Sequence, residues 1–403
     1  MRNVAIINTC DWGSTGKIAF GLQSNLKSAG YTAIVCYGRG ERDNTEDRFC
    51  FDSKTEVYLH ALKNKLIGRQ GTGSTMATKR LISRLKSMNI DTVYAINLHG
   101  YYLNEELFLN YIAEEDITLV YIMADESAFL GKCTYRSGCT NVVNGCKNCP
   151  QTNGLGKIIQ PDSAERSFMV KKDAYSKIKK SAFMGPQFVI DAAQESPLLK
   201  GQNLVPLDEA IDTTFYSPKD TSALKMELGI ADDKVVLVCV APMSYERKGV
   251  RYFIETARAL ENKDKYVFVH VGYNVKDRTN LPSNLIALDP IYDQERLSFF
   301  YSLADLFIFP SLHDTMPNAC LEALSAGSPL LCFNTSGMPY MMDDTVGYLV
   351  EPRNVEQMVE VVLQTEKKTD EIVKACREYA LKRYDNRVYA KKLIDIAIQI
   401  ENN

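Results

Sequence analysis

The residues best suited to chemistry lie between Phe309 and Pro329, which read Phe-Pro-Ser-Leu-His-Asp-Thr-Met-Pro-Asn-Ala-Cys-Leu-Glu-Ala-Leu-Ser-Ala-Gly-Ser-Pro. An apolar run ends at Phe309 and a polar loop follows. Pro317 then stands where the first turn of a helix tolerates a missing N–H. The free backbone N–H groups of such a start, here around Met316, Pro317, Asn318, Ala319 and Cys320, suit a phosphate. Asp314 on the loop and Glu322 on the helix are eight residues apart. Both could face one ligand, and a carboxylate accepts hydrogen bonds from paired sugar hydroxyls. Spacing alone equally allows a plain loop aspartate and a solvated helix glutamate.

Other groups add to this. Glu246-Arg247-Lys248-Gly249 places two cations beside another expected helix start, an arrangement suited to a pyrophosphate. Gly13-Ser14-Thr15-Gly16-Lys17 reads as a flexible glycine loop, for which a plain turn is the default. His99 follows an apolar run and is ordinarily structural unless it sits in a cleft, where it could titrate. Cys133, Cys139, Cys146 and Cys149 crowd into 17 residues as Cys-x5-Cys-x6-Cys-x2-Cys-Pro. Structural zinc, buried thiols and disulfides all remain open, with zinc ahead of disulfides in a reducing compartment.

Two basic stretches stand out. One carries Lys54, Lys63, Lys65, Arg69, Lys79, Arg80, Arg84 and Lys86, interleaved with Leu59, Leu62, Leu66, Leu81, Ile82 and Leu85. The other carries Arg166, Lys171, Lys172, Lys177, Lys179 and Lys180. Such runs are usually solvated helix faces. The sharper reading is docking on an anionic membrane, where each cation contributes about 1 kcal/mol.

These groups must be positioned by a larger frame. The apolar runs Val4–Asn8, Thr32–Tyr37, Asp91–Asn97 and Ile117–Met123 read as buried strands alternating with helices such as Lys17–Ala29. After a Pro-containing stretch the pattern repeats, with strands at Val235–Val240, Val267–Val271, Leu306–Phe309 and Pro329–Phe333. Helices are expected at Gly249–Leu260, Gln294–Ala304 and Asn318–Ala326, with a last one at about Asn386–Glu401. The expected architecture is α/β: two Rossmann-like, doubly wound parallel-sheet domains, 1–205 and 206–385, facing an inter-domain cleft. The helix 386–403 could return to the first domain. In open α/β sheets, ligands bind beyond the carboxyl ends of the strands.

The 403 residues carry 47 Lys+Arg against 50 Asp+Glu, so bulk charge gives no reason to expect a nucleic-acid partner. No run of 18 apolar residues and no signal-peptide core is visible, which suggests a cytoplasmic protein. Eleven cysteines, mostly single within apolar runs, suit a reducing compartment.

The stretch 309–329 resembles the acidic-pair motif of the retaining glycosyltransferases of family 4, which have the GT-B fold. Asp314, Glu322, Ala323, Gly327 and Pro329 match that motif, and Asp314 with Pro317-Asn318 is similar to one branch of it. The resemblance spans about residues 1–395. It implies that Asp314 contacts the donor sugar, Glu322 the nucleotide ribose, and the helix start the diphosphate. Lys248 and Arg247 would grip that diphosphate, Gly13, Gly16 and Lys17 would approach it or the acceptor, and the loop Ala287–Tyr292, with Ile291, would hold the base. His99 would lie on the acceptor side, and Asp125 beside it would join Asp314, Lys248 and Arg247 as a catalytic residue. The sequence departs from the family at Ala124, where many relatives have a histidine, and at Ala241-Pro242-Met243, in place of Gly-Arg-Leu. The cysteine pattern is similar to that of an exopolysaccharide branch.

The implied activity is transfer of a sugar, with retention, from a UDP-sugar (a GDP-sugar next) to a saccharide acceptor, a lipid-linked oligosaccharide of extracellular or capsular polysaccharide synthesis. No catalytic metal is implied, and work at the inner face of the cytoplasmic membrane is. Another GT-B enzyme, such as an epimerase or a sucrose-type synthase, and a non-catalytic nucleotide-binding scaffold remain as alternatives.

Overall fold

Parallel strands covered on both faces must be apolar along their whole length, and this sequence supplies such runs. The computed structural model describes residues 2–42, 44–67, 71–136, 138–151, 162–274 and 278–402. It divides into two units, 1–207 with 387–403, and 208–386.

The first unit contains β1 (Asn3–Cys10), α1 (Gly13–Ser28), β2 (Thr32–Arg39), β3 (Arg48–Cys50), α2 (Lys54–Ile67), α3 (Thr75–Ser87), β4 (Thr92–Ala95), α4 (Glu105–Glu114), β5 (Thr118–Ile122), α5 (Ser163–Lys177), β6 (Ser181–Gly185), α6 (Gln187–Gln194) and β7 (Leu204–Pro206). Its seven strands run in the order β3-β2-β1-β4-β5-β6-β7, all paired in parallel. Six consecutive residues of β1, Val4 to Thr9, are buried. Of these, Ala5 and Ile7 pack in one core with Ile34, Val93, Leu119 and Phe183.

The second unit contains α7 (Ser222–Leu228), β8 (Val235–Val240), α8 (Val250–Ala259), β9 (Tyr266–Val271), β10 (Leu285–Leu288), α9 (Gln294–Leu303), β11 (Leu306–Phe309), α10 (Asn318–Ser325), β12 (Leu330–Phe333), β13 (Gly347–Val350), α11 (Val355–Gln364) and α12 (Asp370–Tyr384). Its six strands follow the order β10-β9-β8-β11-β12-β13, again parallel. The last helix, α13 (Asn386–Asn402), belongs from Arg387 onward to the first unit, where Leu393 is fully buried and the Tyr94 hydroxyl reaches the Leu393 carbonyl at 3.5 Å.

Both sheets are doubly wound, and in each the order reverses at one place: between β1 and β4, and between β8 and β11. The crevice beyond the carboxyl ends of such a strand pair is where this architecture receives ligands. The residues singled out at 13–17, 99, 247–248 and 314–322 all follow one of these four strands.

One expectation fails locally. Gly13–Gly16 is not a flexible loop but the first turn of α1. The missing side chain at Gly16 permits this, since a Cβ there would stand 2.8 Å from the Asp11 carbonyl carbon.

Candidate functional site

The second unit's site begins with two glycines that let backbone segments touch. After β8 the chain makes a short 3-10 turn at Glu246–Lys248; after β11 it enters the loop 310–317. Gly249, at φ +67°, closes the turn, and a Cβ there would lie 1.8 Å from the Pro310 carbonyl oxygen. A Cβ on Gly337 would lie 1.5 Å from the Thr315 carbonyl oxygen, and the Gly337 N–H donates to the Asp314 carbonyl at 2.9 Å. The Leu312 N–H donates to the Arg247 carbonyl at 2.8 Å.

This stitching brings three charged side chains together. Asp314 accepts from Arg247 Nη1 at 2.9 Å through Oδ1, and from Lys248 Nζ at 2.9 Å and Ser311 Oγ at 2.7 Å through Oδ2. Arg247 also donates to the His313 carbonyl, and the Lys248 ammonium stands 5.0 Å from the centre of the Phe309 ring. Asp314 is only 6% exposed. Burial alone would raise its pKa, but the charges of Lys248 and Arg247 and the bonds from Lys248 and Ser311 outweigh it and hold the carboxyl below its ordinary range. Two cations around one carboxylate leave an excess of positive charge for an anionic ligand.

The start of α10 adjoins this cluster in sequence and, like those of α7 and α8, has no side-chain cap, unlike three other helices of the unit. Asp293, Asn354 and Thr369 cap α9, α11 and α12 with side-chain oxygens. Position Pro317 precedes α10, with no side-chain cap and no acid in the first turn. Pro317 therefore stands just before the helix rather than inside its first turn. The Cys320 N–H already donates to the Pro317 carbonyl at 2.9 Å, and the Cys320 side chain is buried in the core. The N–H groups of Asn318 and Ala319 are the ones left to an anion. Asn318 Oδ1 is buried and meets no donor among the described residues. Met316 is buried too, its sulfur accepting from the Glu209 N–H at 3.3 Å.

Glu322 is not on a solvated helix face: it is 4% exposed. It lies beside Tyr216 and Tyr301, whose hydroxyl pKa values are pushed up by burial first and then by its charge. Ile291 lies half-buried between β10 and α9.

In the first unit, the loops after β4 and β5 bring His99 and Asp125 together, Nε2 to Oδ2 at 2.7 Å. The other Asp125 oxygen accepts from the Ser127 N–H at 2.8 Å, and the Thr9 hydroxyl donates to the His99 carbonyl. Burial works to raise the Asp125 pKa, yet His99 and Ser127 lower it below its ordinary value. Beyond β1, β2 and β3 lies an open depression of about 1430 Å³, with Trp12, Arg39, Arg42, Asp52 and Tyr58 in its wall. The lone tryptophan of the chain is the only sequence signal for it. Gly13 and Lys17 lie in the first turns of α1.

The basic stretches divide. Lys171 is buried, donating to the Ser127 and Leu130 carbonyls at 2.7 and 3.1 Å, so it is no part of a surface patch. Leu81 and Leu85 are core residues, and Arg80 and Lys86 pair with Glu56 and Glu115. On α2, by contrast, Tyr58, Leu59, Leu62 and Leu66 are exposed beside Lys63 and Lys65. Arg69 lies outside the described residues.

Cys133, Cys139, Cys146 and Cys149 are free thiols lining one cavity of about 20 Å³. Burial, and then the neighbouring thiols, push Cys133 up to about 12. Among the described residues no three His, Cys, Asp or Glu side chains stand closed up as a ready metal site.

Residues 234–367 match the family described as Glycosyl transferases group 1. The putative colanic acid biosynthesis glycosyl transferase WcaC of Escherichia coli (strain K12) is 22% identical over 378 residues, 87% of this chain and 87% of its own. The UDP-Gal:alpha-D-GlcNAc-diphosphoundecaprenol alpha-1,3-galactosyltransferase of Escherichia coli is 27% identical over 191 residues, 44% of this chain and 48% of its own. Among solved structures, Anabaena HepE in complex with UDP-glucose superposes with a TM-score of 0.64 at 13% identity, over 99% of this chain and 100% of that one. The family match lies within the second unit, and the fold of two parallel-sheet, Rossmann-like units is that of the GT-B glycosyltransferases.

Proposed function

We propose that the protein transfers a hexosyl group, with retention and without a catalytic metal, from a nucleotide-sugar to a saccharide acceptor carried on a lipid. UDP is the first choice of nucleotide and GDP the second. The observation that carries this reading is the Arg247–Lys248–Asp314 cluster next to the uncapped start of α10. It offers two cations and two backbone N–H groups to a diphosphate, and one buried carboxylate to sugar hydroxyls. Glu322, already beside two tyrosine hydroxyls, takes the ribose diol by the same chemistry.

In the reaction, the bond from the sugar's anomeric carbon to the diphosphate oxygen breaks while the acceptor oxygen bonds to the same face. The acceptor proton passes to the departing phosphate oxygen. Charge accumulates on the diphosphate, and Lys248, Arg247 and the N–H groups of Asn318 and Ala319 stabilise it without reorganising. The first unit serves the acceptor: His99, held by Asp125, supplies the imidazole that position 124 lacks, and the depression beside Trp12 and Tyr58 takes the saccharide. The exposed apolar residues and lysines of α2 dock on the anionic inner face of the cytoplasmic membrane, where a lipid-linked acceptor resides.

The test is thermal unfolding with UDP, GDP, dTDP, ADP and NAD at millimolar concentration. A ligand at 100 times its Kd raises stability by about 2.7 kcal/mol. One nucleoside diphosphate should shift the midpoint, and Glu322→Ala should reduce that shift. No shift with any of them overturns the reading. Retention of the protein in the supernatant with anionic liposomes refutes the membrane assignment.

A further inference from the structure

We propose that Cys133, Cys139, Cys146 and Cys149 bind one zinc ion, in a closed structural site that pins the loop 131–150 to the first unit. The loop needs such a pin. Among its described residues the only regular structure is one 3-10 turn, Asn141–Asn144, and the only buried large hydrophobe is Val142. A segment of this length with so little core is uncommon inside a compact domain unless something staples it.

The four cysteines all line one cavity of about 20 Å³, room for a single ion, although their side chains do not stand closed up around it. Four thiolates around one small centre are a tetrahedral zinc donor set. The backbone is shaped for it. Gly145, Cys146 and Asn148 have φ of 74°, 59° and 51°, coiling the Cys-x2-Cys segment tightly, and the Asn141 amide clasps the turn by donating to the Lys147 carbonyl at 3.0 Å. The Gly131 N–H points at Cys146 Sγ, at 3.3 Å, and a Cβ on Gly131 would meet the Ala164 carbonyl oxygen at 2.2 Å. Lys132 also lines the cavity, opposite in sign to the dianionic centre that zinc and four thiolates form. Binding replaces four thiol protons: Zn²⁺ and four Cys–SH give a doubly negative tetrathiolate centre and four protons released to water. The side chains close on the ion to about 2.3 Å per Zn–S bond.

The experiment is metal analysis of the full chain purified under reducing conditions without added metal or chelator. The expected result is about one zinc per chain, released when the thiols are blocked with a mercurial. Exchange with Co²⁺ should give thiolate-to-cobalt charge-transfer absorption and the d–d bands of a tetrahedral ion. Cys139→Ser and Cys149→Ser should each retain less than about half of the metal. Should those variants fail to fold, the wild-type cobalt spectrum decides alone. Metal-free wild type that gives no tetrahedral cobalt spectrum overturns the proposal. So does a disulfide among the four cysteines in thiol-quenched protein, found by mass spectrometry.

Discussion

Asp314 holds the two cations that a diphosphate would need, so its removal should act on chemistry more than on folding. Asp314→Asn keeps the shape of the side chain but leaves Arg247 and Lys248 without their anion. Transfer should fall by about 100-fold or more, while UDP binding, read by calorimetry, persists or tightens. Loss of both together would move Asp314 from catalysis to nucleotide binding. Gly249→Ala tests the approach that builds the cluster. Alanine at φ +67° costs about 1–3 kcal/mol, and its Cβ would also displace the Pro310 carbonyl. A lowered unfolding midpoint with loss of the nucleotide-induced shift is expected. An unchanged shift would show that the 3-10 turn and the loop need not touch.

At the scale of elements, α10 and α13 make opposite points. The former is only eight residues long and leaves its first N–H groups uncapped, as α7 and α8 do, while α9, α11 and α12 are capped by side chains. The stability it forgoes at its N-terminus, about 1 kcal/mol for a missing cap, is consistent with an end reserved for a ligand. The latter helix adds to the first unit a buried stripe of Tyr389, Ala390, Leu393 and Ala397. Leu393→Ala should therefore destabilise the first unit by about 2–5 kcal/mol, seen as faster hydrogen exchange in β1 and β4. Exchange that quickens only in β8 and β11 would contradict the assignment of α13 to the first unit.

For the molecule as a whole, buried titratable groups set the response to acid. Burial lowers His60 and His270 to about 4. Between pH about 6.5 and 4 the unfolded chain binds protons at both that the folded chain refuses, so stability falls as pH falls through that window. Asp52, linked to His60 through Ser74, acts the other way: burial raises it to about 7, so the folded chain keeps a proton that the unfolded chain gives up. Glu126, also raised by burial, acts in the same direction as Asp52, so two carboxyls oppose the two histidines. The lowered Asp125 and Asp314 add their own loss further down, as pH falls below the ordinary carboxylate value of about 4. Asp52→Asn should steepen the decline in unfolding midpoint between pH 7 and 4. A decline no steeper than that of wild type would reject this account of Asp52.

The sequence by itself determined the architecture and the strongest motif. A parallel strand buried on both faces needs an unbroken apolar run, so Val235–Val240 and Leu306–Phe309 were legible to the residue. Short or edge strands were not: β3, β7 and β13 have three or four residues and partly exposed patterns that local composition cannot separate from loop. At the site, the residue types were legible and their partnerships were not. That Arg247 and Lys248 both close on Asp314, with Ser311 as a third donor, depends on β8 and β11 being neighbours and on two glycines letting backbone meet backbone. That His99 meets Asp125 depends on β4 lying beside β5. Hydrophobic periodicity is a local property and survives in the chain, whereas contacts across 26 or 67 residues arise only when parallel strands are set side by side and their carboxyl ends brought to one edge.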